Sequence, residues 1–165
     1  MDSRTKNREM IEATKKGDIQ RVIAIADADS QFLTMMTPFG TWLHVAASAG
    51  QLEIVKYHIA RGLNPNERGG TFWGGALNLA AAAGHVEVAD YILSCGAEID
   101  VSEPERNPLF AAIYGGHKEI VQLLLQKGVD VHIRYSGENM HDMDAMAFAR
   151  ARGQSAIAEI LASAV

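Results

Sequence analysis

Residues 41–51 read TWLHVAASAGQ. A threonine opens the phrase, apolar residues follow at helical spacing, and a glycine comes near the end. Threonine favours a helix N-cap, where its hydroxyl satisfies one of the first unpaired backbone amides. The glycine permits the tight reversal that ends a short helix. The phrase returns as GALNLAAAAGH at 75–85, NPLFAAIYGGH at 107–117 and DAMAFARARGQ at 144–154, with a polar, degenerate copy ending in ATKKGD at 13–18. Its reversal glycines are Gly17, Gly50, Gly84, Gly116 and Gly153, 32 to 37 residues apart. A period of that size marks a stacked array in which no unit buries its own apolar face unaided.

Outward from each phrase lies a second apolar-periodic segment: LEIVKYHI (52–59), VEVADYIL (86–93), KEIVQLLL (118–125) and AIAEIL (156–161). Three of these run on to Gly62, Gly96 or Gly128, placed where a left-handed C-terminal residue is needed. Thr41, Gly75, Asn107 and Asp144 are the predicted N-caps of the first helices, and Pro108 falls where a missing N–H costs nothing. Alanines concentrated at 46–47, 80–83 and 111–112 let neighbouring helices approach closely. The predicted fold is an all-α solenoid of about five helix-turn-helix units with projecting loop fingers. It forms one domain over 1–165, with units near 4–33, 37–69, 71–102, 104–135 and 140–165.

Composition bounds the function. The chain has 165 residues, 48% of them apolar and 21% charged, the balance of an ordinary globular protein. A formal charge of −5 argues against nucleic acid, whose phosphates need a surplus of Lys and Arg, and favours a basic partner. A single cysteine, Cys95, excludes an intramolecular disulfide and fits a reducing compartment. The first ten residues, MDSRTKNREM, show no secretory signal and no membrane span, so the cytoplasm is the expected location.

These phrases resemble the ankyrin-repeat family, whose T-P-L-H-x-A-A-x-x-G-H is matched from Thr41 to Gln51 and more loosely from Gly75, Asn107 and Asp144. One unit keeps the proline of the motif (Pro108) and one its histidine (His44), and Trp42 stands at the proline position. The resemblance implies a protein that binds other proteins and catalyses nothing. The ending IRYSGE followed by DMDAMAFARARGQSAIAEIL is similar to the closing unit of small bacterial ankyrin proteins, some of which are regarded as immunity proteins that neutralise a toxin. The alternative is a regulatory or scaffold ankyrin module without an antitoxin role.

Side chains that carry chemistry have plainer explanations here. His44, His85 and His117 fall at fixed repeat positions, where an imidazole bridges backbone groups of adjacent loops. His132, His141, Asp142 and Asp144 cluster in the long fourth finger without any firm ligand spacing. Cys95 lacks the electropositive surroundings of a reactive thiol. GGTFWGG at 69–75 is no phosphate loop, since it lacks the Lys-Ser or Lys-Thr and the preceding strand. No catalytic, cofactor or metal residue is expected.

The exposed apolar residues are more informative. The fingers and the ends of the first helices line one face of such an array. The residues expected to meet a partner are Phe39, Trp42, Phe72, Trp73, Tyr114, Tyr135 and Met140, with Glu103 and Glu105 supplying acid around them. The expected partner is a folded protein, in particular a basic toxin or nuclease, with neither nucleic acid nor membrane involved and the free protein a monomer.

Overall fold

The computed structural model describes residues 3–138 and 140–164. Met1, Asp2, Asn139 and Val165 lie outside the described residues, and with them the outer bounds of the expected domain and the last residue of its final unit. Five helix pairs follow one another: α1 (Ser3–Lys16) with α2 (Ile19–Asp27), α3 (Trp42–Ser48) with α4 (Leu52–Ala60), α5 (Ala76–Ala83) with α6 (Val86–Ser94), α7 (Pro108–Gly115) with α8 (Lys118–Gln126), and α9 (Ala145–Ala151) with α10 (Ser155–Ser163). Thr41, Gly75, Asn107 and Asp144 are the N-caps of α3, α5, α7 and α9, as their chemistry predicts. The Asn107 side chain accepts from the Leu109 amide and that of Asp144 from the Ala147 amide.

The helices stack in two rows. The first helices pack in the order α1, α3, α5, α7, α9, and the second helices in the order α2, α4, α6, α8, α10. Alanine makes the first row possible, because Ala46, Ala47, Ala80, Ala81 and Ala112 are fully buried and have no side chain beyond Cβ to hold the next helix away. Between the rows lie Ile54, Val55, Val88, Ile92, Ile120, Leu124, Ile157 and Leu161. Burying each side chain of this size stabilises the fold by roughly 1.5–3 kcal/mol. The reversals are tied across the array: His85 Nε2 donates to the Ser48 carbonyl at 3.1 Å, His117 Nε2 to the Ala82 carbonyl at 3.0 Å, and Gln51 Nε2 to the Lys15 carbonyl at 3.2 Å.

The fingers depart from an all-α description. The first holds a 3-10 turn, Ser30–Thr34. The fourth, lengthened by the wide last interval, folds into an antiparallel hairpin of β1 (Tyr135–Gly137) and β2 (Met140–Met143), paired Tyr135 with Met143 and Gly137 with Met140 around a bulge. Arg134 holds this finger by pairing with Asp142 at 2.8 Å and Asp144 at 3.1 Å, so both carboxylates of the suspected His/Asp cluster are engaged. Among the described residues, no helix is long and apolar enough to cross a membrane.

Two expected surface aromatics are core residues instead. Trp42 is fully buried: its indole Nε1 donates to the Phe32 carbonyl at 2.8 Å, and its ring packs 5.0 Å from that of Phe32. The 3-10 turn folds back over the start of α3 and closes the surface on which an exposed Trp42 was expected. Tyr135 is buried as well. Its hydroxyl donates to the Val101 carbonyl at 2.6 Å and accepts from Asn107 Nδ2 at 3.1 Å, while its ring stands edge-on to Phe110. That phenol fastens the fourth finger to the third.

Candidate partner-binding surface

The first finger ends in a tight turn. Thr37 and Gly40 exchange backbone hydrogen bonds of 2.9 and 3.0 Å, and the Thr37 hydroxyl donates to the Gly40 carbonyl at 2.7 Å. Pro38 and Phe39 form the tip, where the Phe39 side chain is largely exposed. In the second finger, the Gly69 amide donates to the Gly74 carbonyl at 2.9 Å and closes the loop Gly70–Trp73. The Trp73 amide donates to the Gly70 carbonyl at 3.2 Å, which places Trp73 at φ 53°, in the left-handed region. For a bulky L-residue this costs on the order of 1–2 kcal/mol. Phe39 (60% exposed), Phe72 (61%) and Trp73 (55%) are three large rings on two adjacent tips.

Glycine brings those tips together. A Cβ on Gly69 would lie 2.7 Å from the Gly40 Cα and 2.9 Å from the Met36 sulfur, so the two fingers touch only because Gly69 has none. His44 roots both fingers. Its Nδ1 accepts from the Thr41 amide at 3.2 Å, so Nε2 carries the proton and donates to the Gly74 carbonyl at 3.0 Å. Burial lowers the His44 pKa, against smaller raising effects of the Gly74 hydrogen bond and of Glu67. The neutral tautomer is the one this geometry needs.

Between the fingers and the C-terminal ends of α1 and α3 lies a groove of about 370 Å³. Phe39, Phe72, His44, Val45, Ser48, Ala49, Leu79, Asn78 and Lys15 line it. Further along the same face Tyr114 is 63% exposed, with the Arg152 guanidinium 4.2 Å from its ring centroid. Ile113, three residues before the reversal glycine Gly116, is buried like Ala47 and Ala81 in the same register. Glu103 and Glu105 are exposed on the third finger, whose base is held by Asn78 Nδ2 donating to the Glu105 carbonyl at 2.9 Å. Met140 is half-buried and packs against the core.

The structure thus gathers Phe39, Phe72 and Trp73 at one end and places Tyr114, Glu103 and Glu105 along the array, while Trp42 and Tyr135 leave the surface. Asn78 was missed. Its signal was present, since it stands in α5 at the position His44 holds in α3, where a polar residue at a buried site has to serve a neighbouring finger. Among the described residues, no group of three or more His, Cys, Asp or Glu side chains is placed to hold a metal ion.

Comparison with known proteins agrees with this architecture. A family profile described as ankyrin repeats (3 copies) matches residues 10–103, 43–135 and 77–164. A curated relative, the Ankyrin repeat and KH domain-containing protein mask-1 of Caenorhabditis elegans, is 37% identical over 70 residues, which is 42% of this chain and 3% of that protein. The chain therefore spans only a small fraction of the length of this relative.

Proposed function

Because the chain belongs to the ankyrin-repeat family, whose repeats are protein-binding modules, we propose that it grips a folded protein partner with its fingers and the adjoining helix ends, and that it catalyses nothing itself. The observation that carries this reading is the cluster of Phe39, Phe72 and Trp73 on two touching fingers, with Trp73 held in a backbone conformation that bulky residues avoid. Strain retained at an exposed aromatic tip is a hallmark of a surface kept for contact. Aromatic anchors rimmed by charge are where binding energy concentrates. The protein acts as a monomer in the cytoplasm, without cofactor, a setting that the lone Cys95 suits.

In its finer form the partner is a basic toxin such as a nuclease, which the bound module neutralises. The net charge of −5, the exposed Glu103 and Glu105, and the likeness of the closing segment to small bacterial immunity proteins support it. A scaffold or regulatory role linking cellular proteins is the second reading, favoured by the similarity to a large ankyrin and KH protein of an animal. Affinity capture from the source organism with the wild-type chain and with Trp73→Ala tests the common ground. A partner held by the wild type and weakened by about 2 kcal/mol or more in the variant supports an aromatic-finger interface, and equal capture by both removes it. Growth rescue on co-expression with a toxic neighbouring gene product separates immunity from scaffolding.

A further inference from the structure

We propose that the groove between the first two fingers receives a partner segment in which a large apolar side chain stands beside a carboxylate. The inference rests on the protein-binding reading above and adds the chemistry of what enters. Phe39 and Phe72 wall the groove, and Ser48 and Ala49 form its floor. The floor is low because of residue size: at the position two before each reversal glycine, Ser48 and Ala82 are small, whereas Lys15 and Tyr114 on either side are long. An apolar side chain of the partner fills that gap between two aromatic rings.

The charge of the occupant follows from Lys15. Among the described residues it is the single ionised side chain lining the groove, and no carboxylate lies within ion-pair distance of its ammonium. Lys16 beside it is exposed too. An apolar group that covers Lys15 strips water from an unpaired cation, which is costly unless an anion arrives with it. A carboxylate adjacent to the apolar side chain meets that need, and a basic side chain there is repelled.

Selection from a randomised display library of linear peptides against the full chain tests this, with affinities of the enriched peptides then measured on variants. The expected enrichment is Asp or Glu next to Phe, Trp, Leu or Met. Those peptides should bind about tenfold or more weakly to Lys15→Glu and to Phe72→Ser, while the thermal melting of both exposed-site variants stays near that of the parent. Enriched peptides that are basic or lack acid, affinities unchanged by Lys15→Glu, or a library that yields no binder competing at the groove would each overturn the proposal. Basic peptides lost on Glu103→Lys would leave the protein-binding reading standing and reject only this one, whereas failure of the affinity capture rejects both.

Discussion

His58 occupies in α4 the slot that Ile92 holds in α6 and Leu124 in α8, and all three are fully buried. Among the described residues, neither ring nitrogen of His58 has a hydrogen-bond partner. Burial pushes its pKa from 6.5 down to about 4. Between those values the unfolded chain binds more protons than the folded one, so the stability that depends on a neutral His58 is complete above about pH 6.5 and is lost as the pH falls toward 4. The full effect is on the order of 3 kcal/mol. Urea unfolding should show a stability that declines from pH 7.5 to 4.5. His58→Leu should flatten that decline and add about 1 kcal/mol at neutral pH, since an unsatisfied polar ring is replaced by the apolar side chain its neighbours use. A slope unchanged by the variant would assign the acid sensitivity elsewhere, His44 being the next group that burial holds neutral. The two tryptophans divide in the opposite way. Trp42→Ala should cost about 3–5 kcal/mol of folding stability. Trp73→Gly should leave thermal melting unchanged or raise it, because glycine accepts φ 53° without strain, and yet should lose the aromatic contact with a partner. Sequence spacing does not separate these two residues. Both adjoin loops, and what decides between them is whether a distant segment, the 3-10 turn at Phe32, folds over the ring.

The helices could be read from the sequence because their determinants are local: a cap residue, apolar spacing and a reversal glycine all lie within about ten positions of one another. The fingers could not, because each is shaped by a residue some thirty positions away in the adjacent repeat. Tyr135 is buried by Val101 and Asn107, Asn66 donates to the Gly96 carbonyl and accepts from the Glu98 amide, and Gly69 is pressed against Gly40. The candidate surface was therefore only partly visible: its aromatic tips show in the pattern GGTFWGG, but the groove beside them exists only once two fingers meet. Gly69→Ala tests that contact at the level of the element. The added methyl must separate the fingers, since the atoms it meets include backbone as well as the flexible Met36. It should destabilise by about 1–3 kcal/mol and reduce partner affinity. Gly137→Ala serves as the control, because its Cβ would meet nothing within 4 Å and its φ is not positive. Equal melting temperatures for the two variants would show that the fingers move apart freely, and the groove would then have no fixed walls.

Along the proposed binding face the charge changes sign between the first helix pairs and the third finger. Lys15 and Lys16 project beside the aromatic fingers of the first two helix pairs, whereas Glu103 and Glu105 project from the third finger. A solenoid displays such groups in a fixed linear order, because each repeat is positioned by its neighbours rather than by a common centre. A partner with one sign of charge throughout would be attracted at one of these places and repelled at the other. On the proposed interface, a partner acidic where it enters the groove and basic where it meets the third finger would be favoured, and this would set its direction along the array. The net charge of −5 places the longer-range attraction with the basic part. Reversing Glu103 and Glu105 to Lys should slow association by about tenfold at low ionic strength, with dissociation little changed. The difference should shrink as added salt shortens the screening length to about 3 Å near 1 M. Stopped-flow or surface-based kinetics with the captured partner read both effects. An association rate indifferent to the reversal at low salt would leave the aromatic contacts alone to select the partner, and the orientation would then have to come from shape.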